Sequence, residues 1–139
     1  MALVKVRRAL VVGCGEFGLA VSDRLSDAGY AVIVVDKDPS AFNGLSAGFG
    51  GETVLADGAD VAVLKDCDIE QTDVLVACTE RDTVNYFLGR VASEVYGVEL
   101  VFARIEDEDL IGMLEESTVE PICPHRLCLD AFCRMARIV

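Results

Sequence analysis

Short, almost continuously apolar runs alternate along the chain with longer stretches in which apolar residues recur every three or four positions. Runs of this kind suit parallel strands buried on both faces, and the longer period suits amphipathic helices. The pattern predicts strands over Arg8–Val12, Ala31–Asp36, Thr53–Ala56, Asp73–Ala77, Val98–Arg104 and Val119–Cys123. Between them it predicts helices over Glu16–Ala28, Pro39–Ala47, Asp60–Lys65, Asp82–Tyr96, Asp107–Glu115 and from His125 to about Arg137. Local signals mark the ends. Gly29 suits a C-cap. Asp60 suits an N-cap. Pro39 suits a first helical turn. Gly97 stops the long fourth helix, and the acidic start at Asp107 favours the dipole of the fifth.

This alternation argues an α/β fold: a Rossmann-like, doubly wound parallel six-stranded sheet in the order 3-2-1-4-5-6, with a C-terminal helix. Ligands of such sheets bind beyond the carboxyl ends of the strands, where the strand order reverses. The Gly13–Gly18 turn, Asp36, Asp57, the Cys78–Thr79 loop and Arg104 are therefore expected along one edge. One unit consumes residues 1–139, with no linker, repeat or low-complexity segment. In the last helix Leu127, Leu129, Ala131, Phe132, Met135 and Ile138 extend beyond one apolar face. That helix is expected to pack on a second copy of the chain, the alternative being its own sheet.

The first strand ends in Gly13-Cys14-Gly15-Glu16-Phe17-Gly18, the spacing G-x-G-x-x-G. Gly13 permits a tight turn. Gly15 lets a pyrophosphate approach the backbone, and Gly18 lets the helix pack on its strand. The helix N-terminus then offers free N–H groups and partial positive charge. The second strand ends in Asp36 at the position where this fingerprint expects a ribose ligand. An aspartate there accepts from both ribose hydroxyls and repels an additional 2′-phosphate.

Composition narrows the partners. Lys and Arg number 12 against 24 Asp and Glu, a formal charge of −12. So acidic a chain repels nucleic acid and anionic membranes, and a phosphate must be held by local features. No apolar run reaches the length of a bilayer span. Lys5, Arg7 and Arg8 precede a strand-sized segment broken by Gly13, unlike a signal peptide. The cysteines, at 14, 67, 78, 123, 128 and 133, form no C-x-x-C pair and suit buried thiols in a reducing compartment. Cys123, His125 and Cys128 match no zinc spacing, so no metal is expected.

No catalytic set stands out. Tyr86 is followed four residues on by Arg90 and Tyr96 by Leu100, so neither forms the Tyr-x-x-x-Lys pair of a short-chain dehydrogenase. There is neither a G-x-S-x-G nor a Walker lysine, and the single histidine, His125, opens the last helix. A nucleotide-binding unit without catalytic groups reads as a sensor whose shape responds to ligand. Two other readings stay open: a small NAD(P)-dependent oxidoreductase or a fragment of one, and a Rossmann interaction domain that has lost its ligand.

Several segments together resemble the TrkA N-terminal (KTN or RCK-N) family of regulatory domains. They are Val11–Gly18, Val34–Pro39, Ala56–Asp60, Asp73–Thr79, Asp82-Thr-Val-Asn85, Ala103–Ile105 and Val119–Pro124. The resemblance runs from about Arg8 to Leu127. It implies NAD(H) or adenine-nucleotide binding, a homodimer or a ring built from dimers, and a membrane cation transporter or channel as partner. It also implies a cytoplasmic location at the inner face of the membrane, and control of potassium or related cation transport by ligand-dependent change of shape. By position, Gly13, Cys14, Gly15, Glu16, Phe17 and Gly18 would hold phosphates. Asp36, with Lys37 beside it, would hold the ribose. Asp57 and Gly58 would flank the adenine. Cys78, Thr79 and Arg104 would meet the distal half of a dinucleotide. Glu16 stands where several relatives carry an arginine for terminal phosphates, which favours NAD(H), AMP or ADP over ATP. Ala59 replaces a common threonine, and the companion C-terminal domain of these regulators is not in the sequence.

Overall fold

The computed structural model describes residues 5–139. Its strands are β1 (Arg8–Val12), β2 (Ala31–Asp36), β3 (Glu52–Leu55), β4 (Val74–Ala77), β5 (Leu100–Arg104) and β6 (Val119–Ile122). Its helices are α1 (Glu16–Asp27), α2 (Val61–Asp66), α3 (Asp82–Arg90), α4 (Glu108–Met113) and α5 (Pro124–Ala136). All six strands join one parallel sheet in the order β3-β2-β1-β4-β5-β6, the order expected from the sequence.

The unbroken apolar runs are explained by two cores. Leu10 and Val12 of β1, with Leu75 and Ala77 of β4, face Leu64 of α2 and Leu88 of α3. Ala9 and Val11, with Val34 of β2 and Val76 of β4, face the opposite side, where Phe17 and Leu25 of α1 pack. Strand β1 lies between β2 and β4, with Val11 paired to Val34 on one side and Val76 on the other. Every side chain of the central strands must therefore be apolar, and the signal of alternation disappears.

Four segments differ from expectation by more than one residue. The predicted helix over Pro39–Ala47 is a 3-10 turn over Pro39–Gly44. A Cβ on Gly44 would lie 2.5 Å from Leu19 Cδ1, so this segment packs closely on α1. Asp23 then accepts from the N–H and hydroxyl of Ser46 and holds the chain that follows. The long helix stays helical but changes pitch: α3 passes into a π-helical turn over Val91–Val95. Strand β5 begins at Leu100, because the Val98 N–H is tied to the Ala92 carbonyl and its side chain plugs the core. Helix α4 is shorter than predicted, with Asp107 as its cap, accepting from the N–H groups of Asp109 and Leu110.

Helix α5 does not lie on its own sheet. None of its residues is buried, and Leu127, Leu129, Phe132 and Met135 are each more than half exposed. An Arg126–Glu108 ion pair ties its first turn to α4. Among the described residues no helix is long and apolar enough to cross a membrane.

Candidate functional site

The turn between β1 and α1 is shaped by what its glycines lack. Gly13 has φ +104°, and a Cβ there would lie 2.6 Å from the Cys78 carbonyl oxygen. A Cβ on Gly18 would lie 2.0 Å from the Gly13 carbonyl oxygen, so α1 starts in backbone contact with the turn that precedes it. Gly15 differs: it is exposed, and a Cβ there would meet no protein atom within 4 Å. Its open side faces away from the protein, as a residue under a ligand should.

The N–H groups of Gly15, Glu16, Phe17 and Gly18 donate to no acceptor among the described residues. They form the unsatisfied first turn of a twelve-residue helix. Such donors carry partial positive charge and suit an anion. Cys14 behaves differently. Its N–H donates to Asp36 Oδ2 at 2.7 Å, while Asp36 Oδ1 accepts from Asp38 N–H at 2.8 Å. Asp36 thus clamps the end of β2 to the glycine turn. Each of its oxygens keeps a further lone pair, so the clamp leaves room for hydroxyl donors.

The remaining sequence-selected residues line the same edge. Asp57 follows β3, is exposed, and accepts from the Ala59 N–H. Gly58 is buried, and a Cβ there would lie 2.2 Å from Val12 Cγ1, so its role is to let the β3–α2 loop lie against the end of β1. Lys37 is exposed and forms no ion pair among the described residues. Phe17 contributes only its N–H to the edge, because its ring packs in the α1-side core. Cys14 and Cys78 also turn inward. Burial pushes the Cys14 thiol up to about 11, helped by Asp36 and Asp23. Burial likewise raises Cys78 to about 12, and its Sγ donates to the Gly13 carbonyl. Both thiols support the turn from below.

At the ends of β4 and β5, a cleft of about 190 Å³ is lined by Thr79, Glu80, Asp82, Arg104 and Glu106. Its walls are held by two side chains that the sequence pattern placed at a helix start without assigning a role. Asn85, 1% exposed, accepts from the Thr79 N–H and hydroxyl and donates to the Thr79 and Arg104 carbonyls. Asp82 Oδ2 accepts from the N–H groups of Glu106 and Asp107. Together they bolt the loop after β4 to the loop after β5. The signal was the Asp82-x-x-Asn85 spacing itself, which puts both side chains on the first turn of α3, next to these strand ends.

Residues 9–123 match the family model of the TrkA-N domain. The chain is 39% identical over 125 residues to the Trk system potassium uptake protein TrkA of Streptomyces coelicolor, a match that takes in 90% of this chain and 56% of that protein. It therefore spans little more than half the length of that relative. Among solved structures, the TrkA-N domain of the inner membrane protein ybaL from Escherichia coli superposes with a TM-score of 0.80 at 16% identity, over 96% of this chain and 98% of that one. The AMP-bound Kef C-terminal domain of Shewanella denitrificans superposes with a TM-score of 0.70 at 18% identity, over 93% and 82% of the two chains. At such identities the likeness is one of fold. The family model, which matches most of the chain, decides the assignment: this chain belongs to the TrkA-N domain family.

Proposed function

We propose that the chain is a nucleotide-sensing regulatory unit of potassium uptake, acting in the cytoplasm on a membrane-embedded transporter or channel. The observation that carries the reading is the edge at Gly15–Gly18. Four unpaired N–H groups converge over an open turn, beside a carboxylate set at the end of β2 for ribose hydroxyls. NAD(H), AMP or ADP fit this edge. ATP fits it less well, because the exposed Glu16 carboxylate sits at the helix start where a third phosphate would extend. The potassium assignment is supported by the name of the Streptomyces relative, and the adenosine ligand by the AMP in the Kef domain.

The unit is a sensor rather than a catalyst in this reading. Its polar groups on the edge are donors and carboxylates that bind, and Tyr86 packs in the core with Arg90 over its ring, 5.8 Å from the centroid. The exposed apolar side of α5 supports a homodimer, in which that helix is covered by a second copy. Ligand would then shift the dimer between shapes that the transporter distinguishes.

Thermal unfolding with NAD+, NADH, AMP, ADP and ATP tests the ligand half of the proposal. A nucleotide at a hundred times its Kd stabilises the fold by about 2.7 kcal/mol. No shift with any of them would overturn it. Rubidium uptake by cells lacking the chain tests the transport half: rates should change on deletion and be restored by the wild-type chain but not by Asp36→Ala. Unchanged uptake would remove the potassium assignment.

A further inference from the structure

Helix α5 and the sheet beside it each leave apolar surface uncovered. In β5 and β6, Val101, Ala103 and Val119 point into the core on the side of α3 and α4. Their neighbours Leu100, Phe102 and Ile122 therefore point to the other side, that of α1. There Leu100 is 39% exposed, and Phe102 and Ile122 are only half-buried. Helix α5 begins at Pro124, one residue after β6 ends. Cys128, Phe132 and Met135 lie together along it at helical spacing, with Leu127 and Leu129 to either side, and all five are exposed. In a doubly wound sheet a helix after the last strand completes the layer on this same side. The lengths agree: the thirteen residues of α5 span about 20 Å, and the five of β5 about 17 Å.

One side-chain contact holds α5 elsewhere. Glu108 of α4 accepts from Arg126 Nε at 3.0 Å and also from Arg126 Nη2, a two-pronged pair in the first turn of α5. Among the described residues no other hydrogen bond or ion pair joins an α5 side chain to the rest of the chain. Its anchor lies away from the uncovered side of the sheet. Ile111 and Leu114 of α4 pack in the core on the α3 side, and Asp82 fixes the loop before α4 through the N–H groups of Glu106 and Asp107.

We propose that the Glu108–Arg126 pair is a strap on a helix with two positions. Fastened, it draws α5 towards α4 and leaves the apolar face of the helix presented. Released, α5 turns about Cys123 and lies on Leu100, Phe102 and Ile122 of its own sheet, withdrawing the face offered to a second copy. Turning back buries apolar surface but must bend a one-residue connection, and short hinges of this kind oppose it. The strap adds to the side of the hinge. The homodimer proposed above is what this balance would govern, whereas the two positions of α5 do not depend on it.

An exposed ion pair biases such a balance by no more than about fivefold. Association needs α5 presented in both copies, so the association constant follows the square of the presented fraction. The labelling rate of a thiol on the apolar face follows the fraction itself. Cys128 is that thiol.

Peptide-mapped alkylation of Cys128 and sedimentation of the full chain test the strap. R126Q and E108Q each break the pair at exposed positions, and E108R/R126E rebuilds it with the charges exchanged. At a dilution where every form is a monomer, Cys128 should label up to about fivefold more slowly in the single variants. Their association constants should fall by the square of that factor, and the exchanged pair should return both readings towards wild type. Labelling at the wild-type rate in both single variants would overturn the strap. Weaker association with unchanged labelling would overturn it too, and would assign Arg126 to the contact with the second copy. A wild type that never associates would remove the homodimer, while the labelling rates still decide the strap.

Discussion

Alanine at Gly15 should separate the fold from the site. The backbone there has φ −74° and ψ −171°, which any L-residue adopts, and the added Cβ meets no protein atom within 4 Å. Gly15 is the N-cap of α1, where alanine is disfavoured relative to glycine by about 0.5–1 kcal/mol. The reduced freedom of the unfolded chain returns about 0.4–1 kcal/mol. The two effects nearly cancel, and the melting temperature should stay within about 3 °C of wild type. Binding should respond differently. The methyl group would stand between a phosphate and the donors at Gly15–Gly18, which have no other partner among the described residues. A hydrogen bond to a charged group contributes about 1.5–3 kcal/mol. Loss of one or two such bonds gives roughly 2–4 kcal/mol, or about thirtyfold to a thousandfold weaker binding. Gly18→Ala is the contrast, since its Cβ would lie 2.0 Å from a backbone oxygen and must displace α1. That overpacking should cost about 1–3 kcal/mol of stability. Paired melting curves and calorimetry on the two variants make the comparison. Wild-type nucleotide affinity in Gly15→Ala, with the fold intact, would refute the placement of the phosphate on this turn.

Other outcomes follow from the same geometry. Asn85→Ala leaves the partly buried Thr79 N–H and Arg104 carbonyl without their partner, and should cost about 2–4 kcal/mol in chemical denaturation. Because burial raises Cys14 to about 11 and Cys78 to about 12, both stay protonated at pH 8. Alkylation followed by peptide mass mapping should therefore label the exposed Cys128 well before either of them. The same shifts mean that the unfolded thiols ionise first as pH rises through their ordinary value of 9.0, so their contribution to stability is intact below pH 9 and is lost towards pH 11–12. Phe132→Glu with Met135→Glu, both at exposed positions, should shift sedimentation from dimer to monomer without lowering far-UV helix content. A wild type that sediments as a monomer at high concentration would contradict the dimer.

The sheet order was legible because the strands at the centre of the sheet are compact apolar runs and each connection is long enough for a crossover. The carboxyl edge was legible for the same reason: once the strands are placed, their ends are placed with them. What the sequence concealed was the division of labour on that edge. Phe17, Cys14 and Cys78 sit inside or beside the motif, yet their side chains serve the core, because a tight turn buries whatever points beneath it. Asn85 is the one buried polar residue of α3, and its role depends on two loops that meet only in the folded chain. Neither the 3-10 turn nor the start of β5 shows in the pattern of apolar residues: the first packs closely on Leu19 of α1, and the second follows a local bond from the Val98 N–H back to the Ala92 carbonyl.

The central claim is that a nucleotide phosphate lies on the N–H groups of Gly15–Gly18 with its ribose on Asp36. A crystal structure of the chain grown with saturating NAD+ or AMP tests it most directly. The expected result is phosphate density over that turn and ribose hydroxyls within hydrogen-bonding distance of the Asp36 carboxylate. Nucleotide density elsewhere on the molecule, with this turn bare, would contradict it.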